Sequence, residues 1–167
     1  NLPYGGIIIS FGMSDICLTG RNGLLNRMIA MTTAPTPTSN NADLAALILR
    51  VALGALFLAH AGLKIFVFTP AGTAGFFQSI GLPGPLAYLV IAVEVLGGIA
   101  LIAGFRTRIV SLVLIPVLLG AIATVHFSAG FFFNNANGGW EYPAFWIVAL
   151  VVQALLGDGA AAVGTKR

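Results

Sequence analysis

From residue 44 onward the chain alternates long apolar runs with short polar breaks, and within the runs apolar and polar positions do not alternate. Four runs stand out: about Leu44 to Phe66, Leu86–Ala103, Ile109–Phe127 and about Tyr142–Leu156. Each approaches the ~20 residues a helix needs to cross a ~30 Å hydrocarbon core, allowing for tilt. Only helices and closed barrels satisfy every backbone polar group in lipid, and barrel strands alternate apolar with polar positions. The pattern therefore predicts an all-α integral membrane protein, a four-helix bundle. Asn41 or Asp43 would cap the first helix, and Pro83-Gly84-Pro85 leads into the second. Pro116 would kink the third, and Gly157 would stop the fourth.

The polar breaks have a character of their own. Residues 69–85, TPAGTAGFFQSIGLPGP, are too polar and Gly-broken to span, yet they carry Phe76, Phe77, Ile80 and Leu82. A short helix lying at the outer membrane interface is expected in this first outer loop. Residues 131–139, FFFNNANGG, lead into Trp140, Glu141 and Tyr142, aromatics that suit an interfacial belt. Residues 1–41 differ in kind. Their longest apolar run, Ile7–Ile9, is far too short for a signal-peptide core, and 34–41, APTPTSNN, has the composition of a disordered linker. Met28 or Met31 would serve as a natural start. The expected division is a disordered or non-native segment at 1–41, a four-span membrane domain at 42–160 and a cytoplasmic tail at 161–167.

Composition strengthens the membrane reading. The 167 residues are 58% hydrophobic and 8% charged, against about 25% charged in a soluble domain; mean hydropathy is +0.98. The net charge of +3 includes no basic run, so nothing points to nucleic acid. Arg106 and Arg108 lie between runs two and three, Lys166 and Arg167 close the chain, and Arg21 and Arg27 precede run one. Four spans put all of these on one side, so both termini are expected in the cytoplasm. Cys17 is the one cysteine, which rules out disulfide exchange between paired thiols within the chain.

Glu94 sits in the middle of Leu86–Ala103, a stretch with no other charge. Inserting such a carboxyl costs roughly 2.5–3.5 kcal/mol, so the fold must supply a partner. Arg50, His60 and Lys64 fall within a sector of roughly 80° on the first helix, facing the bundle interior with Gly54, Phe57 and Ala61. Small residues at Gly54, Ala55, Ala59, Gly62, Gly97 and Gly98 would allow helices to approach closely. At ~1.5 Å per residue, Arg50 lies roughly 9 Å and Glu94 roughly 13 Å from the cytoplasmic end, with His60 and His126 near 25 Å. Two layers are expected. The lower pairs Arg50 with Glu94, either as an ion pair that fixes register or as a proton or substrate site. The upper gathers His60, His126 and Glu141, with Lys64 snorkelling to the headgroups. That upper layer could take an anion, a quinone headgroup or a metal. Its ligand count, scattered over three helices, makes no metal motif, and no metal is expected. Asp158 would cap the last helix.

These residues resemble a family. Arg50-x3-Gly54-x2-Phe57-x2-His60-x-Gly62-x-Lys64 is similar to the opening signature of DoxX membrane proteins. Gly81-Leu82-Pro83 is similar to the loop before their second span. Glu94-x2-Gly97-Gly98 and Gly104-x-Arg106-x-Arg108 resemble the second signature. His126 and Asn137-Gly138-Gly139-x-Glu141-Tyr142 fit as well, and the resemblance runs from about Asp43 to Ala160. Members often close with a Gly-Pro-Gly and a Ser-Leu-Asp stretch, where this chain has Gly157-Asp158-Gly159-Ala160.

The resemblance implies a four-helix protein of the bacterial plasma membrane. The family name derives from a quinone-linked sulfur oxidoreductase, and some members are associated with membrane redox complexes and oxidative-stress defence. The expected function is a redox-associated subunit, not an autonomous enzyme, with no intrinsic cofactor. It would bind a quinone or an electron-transfer partner in a pocket built from Arg50, His60, Lys64, Glu94, His126 and Glu141, with a headgroup carbonyl accepting from His60 or Lys64. The alternatives are a small proton- or anion-handling transporter component, or a structural membrane partner with no chemistry of its own.

Overall fold

A computed structural model describes residues 40–136 and 138–163. The expected amino-terminal segment falls almost wholly outside these residues, as do Cys17, Arg21, Arg27, Lys166 and Arg167. Helix α1 spans Asn40–Gly62 and runs on as a π-helical turn, Leu63–Val67. A short helix, α2, spans Pro70–Ser79, and α3 spans Pro85–Ala103. Helix α4 spans Thr107–Ala121 and continues as a π-helical turn, Ile122–His126, and a 3-10 turn, Phe127–Ala129. Helix α5 spans Glu141–Leu156. The described residues contain no strand.

Local chemistry accounts for most boundaries. Thr69 caps α2 by accepting from Gly72 N at 3.1 Å, and Pro70 occupies the first turn, where its missing N–H costs nothing. Gly104, with φ of +74°, ends α3 in the left-handed conformation that glycine adopts freely. Helix α1 starts one residue before Asn41, so Asn41 and Asp43 lie in its first turn and neither is its cap.

Three stretches are long and apolar enough to cross a membrane: Asn40–Val67, Pro85–Ala103 and Thr107–Ala129. Helix α5, at 16 residues, is about 24 Å long and falls short of the usual core thickness. The exterior is apolar, with Ile48, Leu96, Ile99, Leu112, Phe145 and Leu155 all exposed. Such a surface is stable against acyl chains and not against water. It is the exterior of a membrane protein.

Helix α1 packs chiefly on α3, and α4 on α5. The α1–α3 contact is backbone on backbone: a Cβ on Gly54 would stand 2.6 Å from Gly98 O, and one on Gly98 2.9 Å from Gly54 O. Ala55 and Ala59, expected to help this approach, face outward instead. Apolar side chains from four helices (Leu53, Phe57, Leu101, Leu114, Trp146 and Leu150 among them) fill the centre. Gly54→Ala should cost roughly 3 kcal/mol, since an added methyl meets backbone that cannot rotate away. Gly120→Ala, with nothing within 4 Å of the new Cβ, should be near neutral. Unfolding midpoints of the two variants in the same bilayer mimetic check this.

The end of the molecule where α1 starts, here the proximal end, is closed by the segment after α5. Ala160 N donates to Asp43 O and Val163 N to Ala103 O, each at 3.0 Å. Asp158 Oδ1 accepts from Thr107 N at 2.9 Å and Thr107 Oγ1 at 2.6 Å. Asp158 therefore caps the start of α4, not the end of α5 as expected. The reason is chemical: a helix C-terminus offers carbonyls, which a carboxylate cannot satisfy, whereas an N-terminus offers free N–H groups.

Candidate functional site

The Gly54–Gly98 contact fixes the register between α1 and α3, and with it the partner of Glu94. Level with Gly98 on antiparallel α3, Gly54 places Arg50 opposite Ile102, eight residues and about 12 Å from Glu94. The expected Arg50–Glu94 pair does not form. Arg50, 1% exposed, instead donates through Nη1 to Leu101 O at 3.0 Å and to Ile102 O. Its Nη2 donates to Ala160 O at 2.8 Å and Ala161 O at 3.1 Å. The guanidinium thus caps the C-terminus of α3, where carbonyls and the helix dipole both favour a cation.

Glu94 pairs with Lys64. The ammonium lies 2.6 Å from both carboxylate oxygens, and Glu94 is 4% exposed. Lys64, expected in the pocket or else snorkelling to the headgroups, turns inward from the π-helical turn at the end of α1 and lines the cavity. Phe68 N bonds Leu63 O at 2.9 Å across that turn, five residues apart. Such wide turns often mark functional positions, and a second one carries His126 at the end of α4.

A cavity of about 1330 Å³ occupies the distal half of the molecule, opposite the closed proximal end. His60, Lys64, Glu94, His126 and Glu141 all line it; Arg50 does not. The remaining wall is mostly apolar, with Phe76, Phe77 and Ile80 over one side and Phe131 and Phe133 over another. Glu141 accepts from Phe133 N at 2.9 Å and so ties the second loop to the head of α5.

Both histidines present one nitrogen to a backbone carbonyl: His60 Nδ1 to Leu56 O at 2.9 Å, His126 Nδ1 to Gly138 O at 2.8 Å. A carbonyl can only accept, so each Nδ1 carries the proton. In the neutral form of each ring, Nε2 would then be the acceptor. Among the described residues no group of three or more His, Cys, Asp or Glu stands placed to hold a metal.

Trp146 is the site residue that sequence reasoning missed. It is 4% exposed, lines the cavity, and packs on Phe57 (4.6 Å between ring centroids), His60 (5.0 Å) and Tyr142 (5.9 Å). Its indole Nε1 is buried without a hydrogen-bond partner. A buried N–H left unpaired costs about 1–3 kcal/mol, which the packing of this ring has to offset. The available signal was position: this tryptophan lies inside the last apolar run, away from the run's ends where interfacial aromatics gather.

Comparison with known proteins agrees with the pattern of these residues. The DoxX family profile matches residues 45–127, which reach from α1 through the π-helical turn after α4. A protein of Bacillus subtilis (strain 168) named "Putative oxidoreductase CatD" is 42% identical over 116 residues, 70% of this chain and 81% of that protein. No solved structure matches.

Proposed function

The chain belongs to the DoxX family, and from that premise we propose that it is a redox-associated membrane subunit that holds a quinone headgroup in its distal cavity. A large apolar cavity whose wall gathers His60 on Trp146, His126 and the Lys64–Glu94 pair is the observation that carries this reading. The oxidoreductase name of the Bacillus subtilis relative supports the redox association.

The polar groups fit such a head. Lys64, expected as a donor to it, has both oxygens of Glu94 on its ammonium, which leaves the histidines to meet the head. The Nε2 lone pairs of His60 and His126 would accept from hydroxyl groups of the reduced form. A bound quinone supplies reversible two-electron, two-proton chemistry. The protein orients the head, keeps water away from it, and offers histidine nitrogens on which protons can rest. An electron-transfer partner protein would exchange the electrons. An anion fits less well, because Glu94 already neutralises the Lys64 ammonium and Glu141 adds negative charge.

In this reading α5 is a short fourth span whose deficit is met by local thinning of the bilayer and by Trp140 and Tyr142 at its start. Helix α2 lies in the outer interface. Arg106 and Arg108, beside the start of α4, favour a cytoplasmic proximal end, and with it both termini would lie in the cytoplasm of a bacterial plasma membrane. Residues 42–160 would form the membrane domain.

Purified protein in nanodiscs should bind decylubiquinol saturably in equilibrium dialysis. His60→Phe, which keeps a ring and removes the nitrogen acceptor, should weaken binding about tenfold. Absence of saturation up to roughly 100 μM would reject the reading. The Lys64–Glu94 pair on the cavity wall favours a second reading, proton handling. It predicts proton flux in liposomes that is lost in Glu94→Gln, whereas quinone binding alone predicts no flux.

A further inference from the structure

Helices α3 and α4 meet at Gly97, where a Cβ would stand 2.8 Å from Leu114 Cδ2. From that contact both run toward the distal end, and the cavity lies between and behind them. Val90, Leu89, Val113, Val117 and Gly120 line the cavity, and Leu89 is 59% and Val113 53% exposed. Lining side chains that remain this open on two facing helices point to a slot between the helices. The pairing of helices explains why it exists. With α3 seated chiefly on α1 and α4 on α5, the two pairs have little reason to close on each other beyond Gly97.

Gly120 is the narrowest residue on the α4 rim. It is exposed, and a Cβ there would meet nothing within 4 Å. The slot is apolar throughout and opens on the surface that faces acyl chains. Toward the distal end, Phe76, Phe77, Phe131 and Phe133 stand over the cavity instead of polar side chains that would invite water.

We infer that the cavity is loaded sideways from the lipid, through the slot between α3 and α4, by an uncharged amphiphile. Its head reaches Trp146 and His60 while its tail stays among the acyl chains. The inference rests on the reading that the cavity holds a small-headed hydrophobic molecule. It adds the path, the phase the ligand comes from, and Gly120 as the residue that sets the path's width. An apolar slot favours this class of ligand physically. A hydrocarbon tail crosses it without leaving an apolar environment, whereas an ion would be stripped of water with nothing to replace it.

The test uses the full chain in nanodiscs with Trp140→Phe, which leaves Trp146 as the sole tryptophan. Quenching of Trp146 by lipid-dissolved decylubiquinone is followed by stopped flow in the parent, in Gly120→Phe and in Leu89→Ala. A block in the path slows association and dissociation together. Gly120→Phe should therefore lower both rates roughly tenfold or more and leave Kd within about threefold. Leu89→Ala widens the opposite rim at an exposed position and should raise both rates. Unchanged association in both variants, with saturable quenching intact in the parent, overturns the slot and leaves the functional reading standing. Faster dissociation alone in Gly120→Phe, a sign of a damaged site, also overturns it. No saturable quenching in the parent removes the functional reading and the inference with it.

Discussion

Lys64→Met should destabilise the protein far more than Glu94→Gln, although both substitutions break the same ion pair. Glu94 lies at the middle of α3, 4% exposed, and Lys64 is its one hydrogen-bonding partner among the described residues. Without Lys64, a carboxylate stays buried in an apolar wall with no cation in reach, at a cost of roughly 3–5 kcal/mol. Lys64 has an escape that Glu94 lacks. It sits in the last turn of α1, and its four-carbon stem can swing out to the headgroups once Glu94 no longer holds it. Glu94→Gln should therefore cost only about 1–2 kcal/mol. Replacing both, Lys64→Met with Glu94→Leu, should recover most of the loss, since a well-packed apolar pair does as well as a buried ionic one. Reversible unfolding of the three variants in bicelles reads these differences directly. Equal losses for the two single variants would mean that Lys64 cannot leave its place.

Arg50→Ala should be as damaging as Lys64→Met but by another route, and without touching ligand affinity. Arg50 holds two carbonyls at the end of α3 and two in the segment after α5, all from a position that is 1% exposed. Its removal takes the donor from Ile102 O and from two part-buried carbonyls after α5 and empties its own buried site, for a loss of roughly 3 kcal/mol. Arg50→Lys should recover no more than about half, because a point-like ammonium cannot fork onto four carbonyls. The Kd for decylubiquinol should be unchanged in whatever folded protein remains, since Arg50 does not line the cavity. Thermal unfolding paired with equilibrium dialysis separates the two effects. A weakened Kd would return Arg50 to the binding site from which the register excludes it.

What the sequence carried and what it did not divide along physical lines. Helical, membrane-embedded character was legible because it is a property of composition and run length, and lipid tolerates no other irregular backbone. The inward sector of α1 was legible too, since Arg50, Gly54, Phe57 and Ala61 follow helical periodicity and are all buried. Register was not. Hydropathy says where a run lies but not which residue of one helix stands level with which residue of another, so Arg50 and Glu94 were placed about 4 Å apart in height instead of about 12 Å. Two glycines in backbone contact decide that level, and only their meeting in space reveals it. Lys64 was left between the pocket and the headgroups for a related reason: its direction depends on a wide turn that 100°-per-residue geometry does not contain. Trp146 was passed over because tryptophans near membrane interfaces are common, although its place inside the last apolar run sets this one apart.

The arginine clamp also has a meaning in time. Its two partners beyond α5 lie 110 and 111 residues downstream of Arg50, so when the first helix inserts, half of its guanidinium's acceptors have not been synthesised. The cation waits in the bilayer, incompletely satisfied, until residues 160 and 161 have followed it. A chain that stalls before them is thereby left with a conspicuous defect in its first helix.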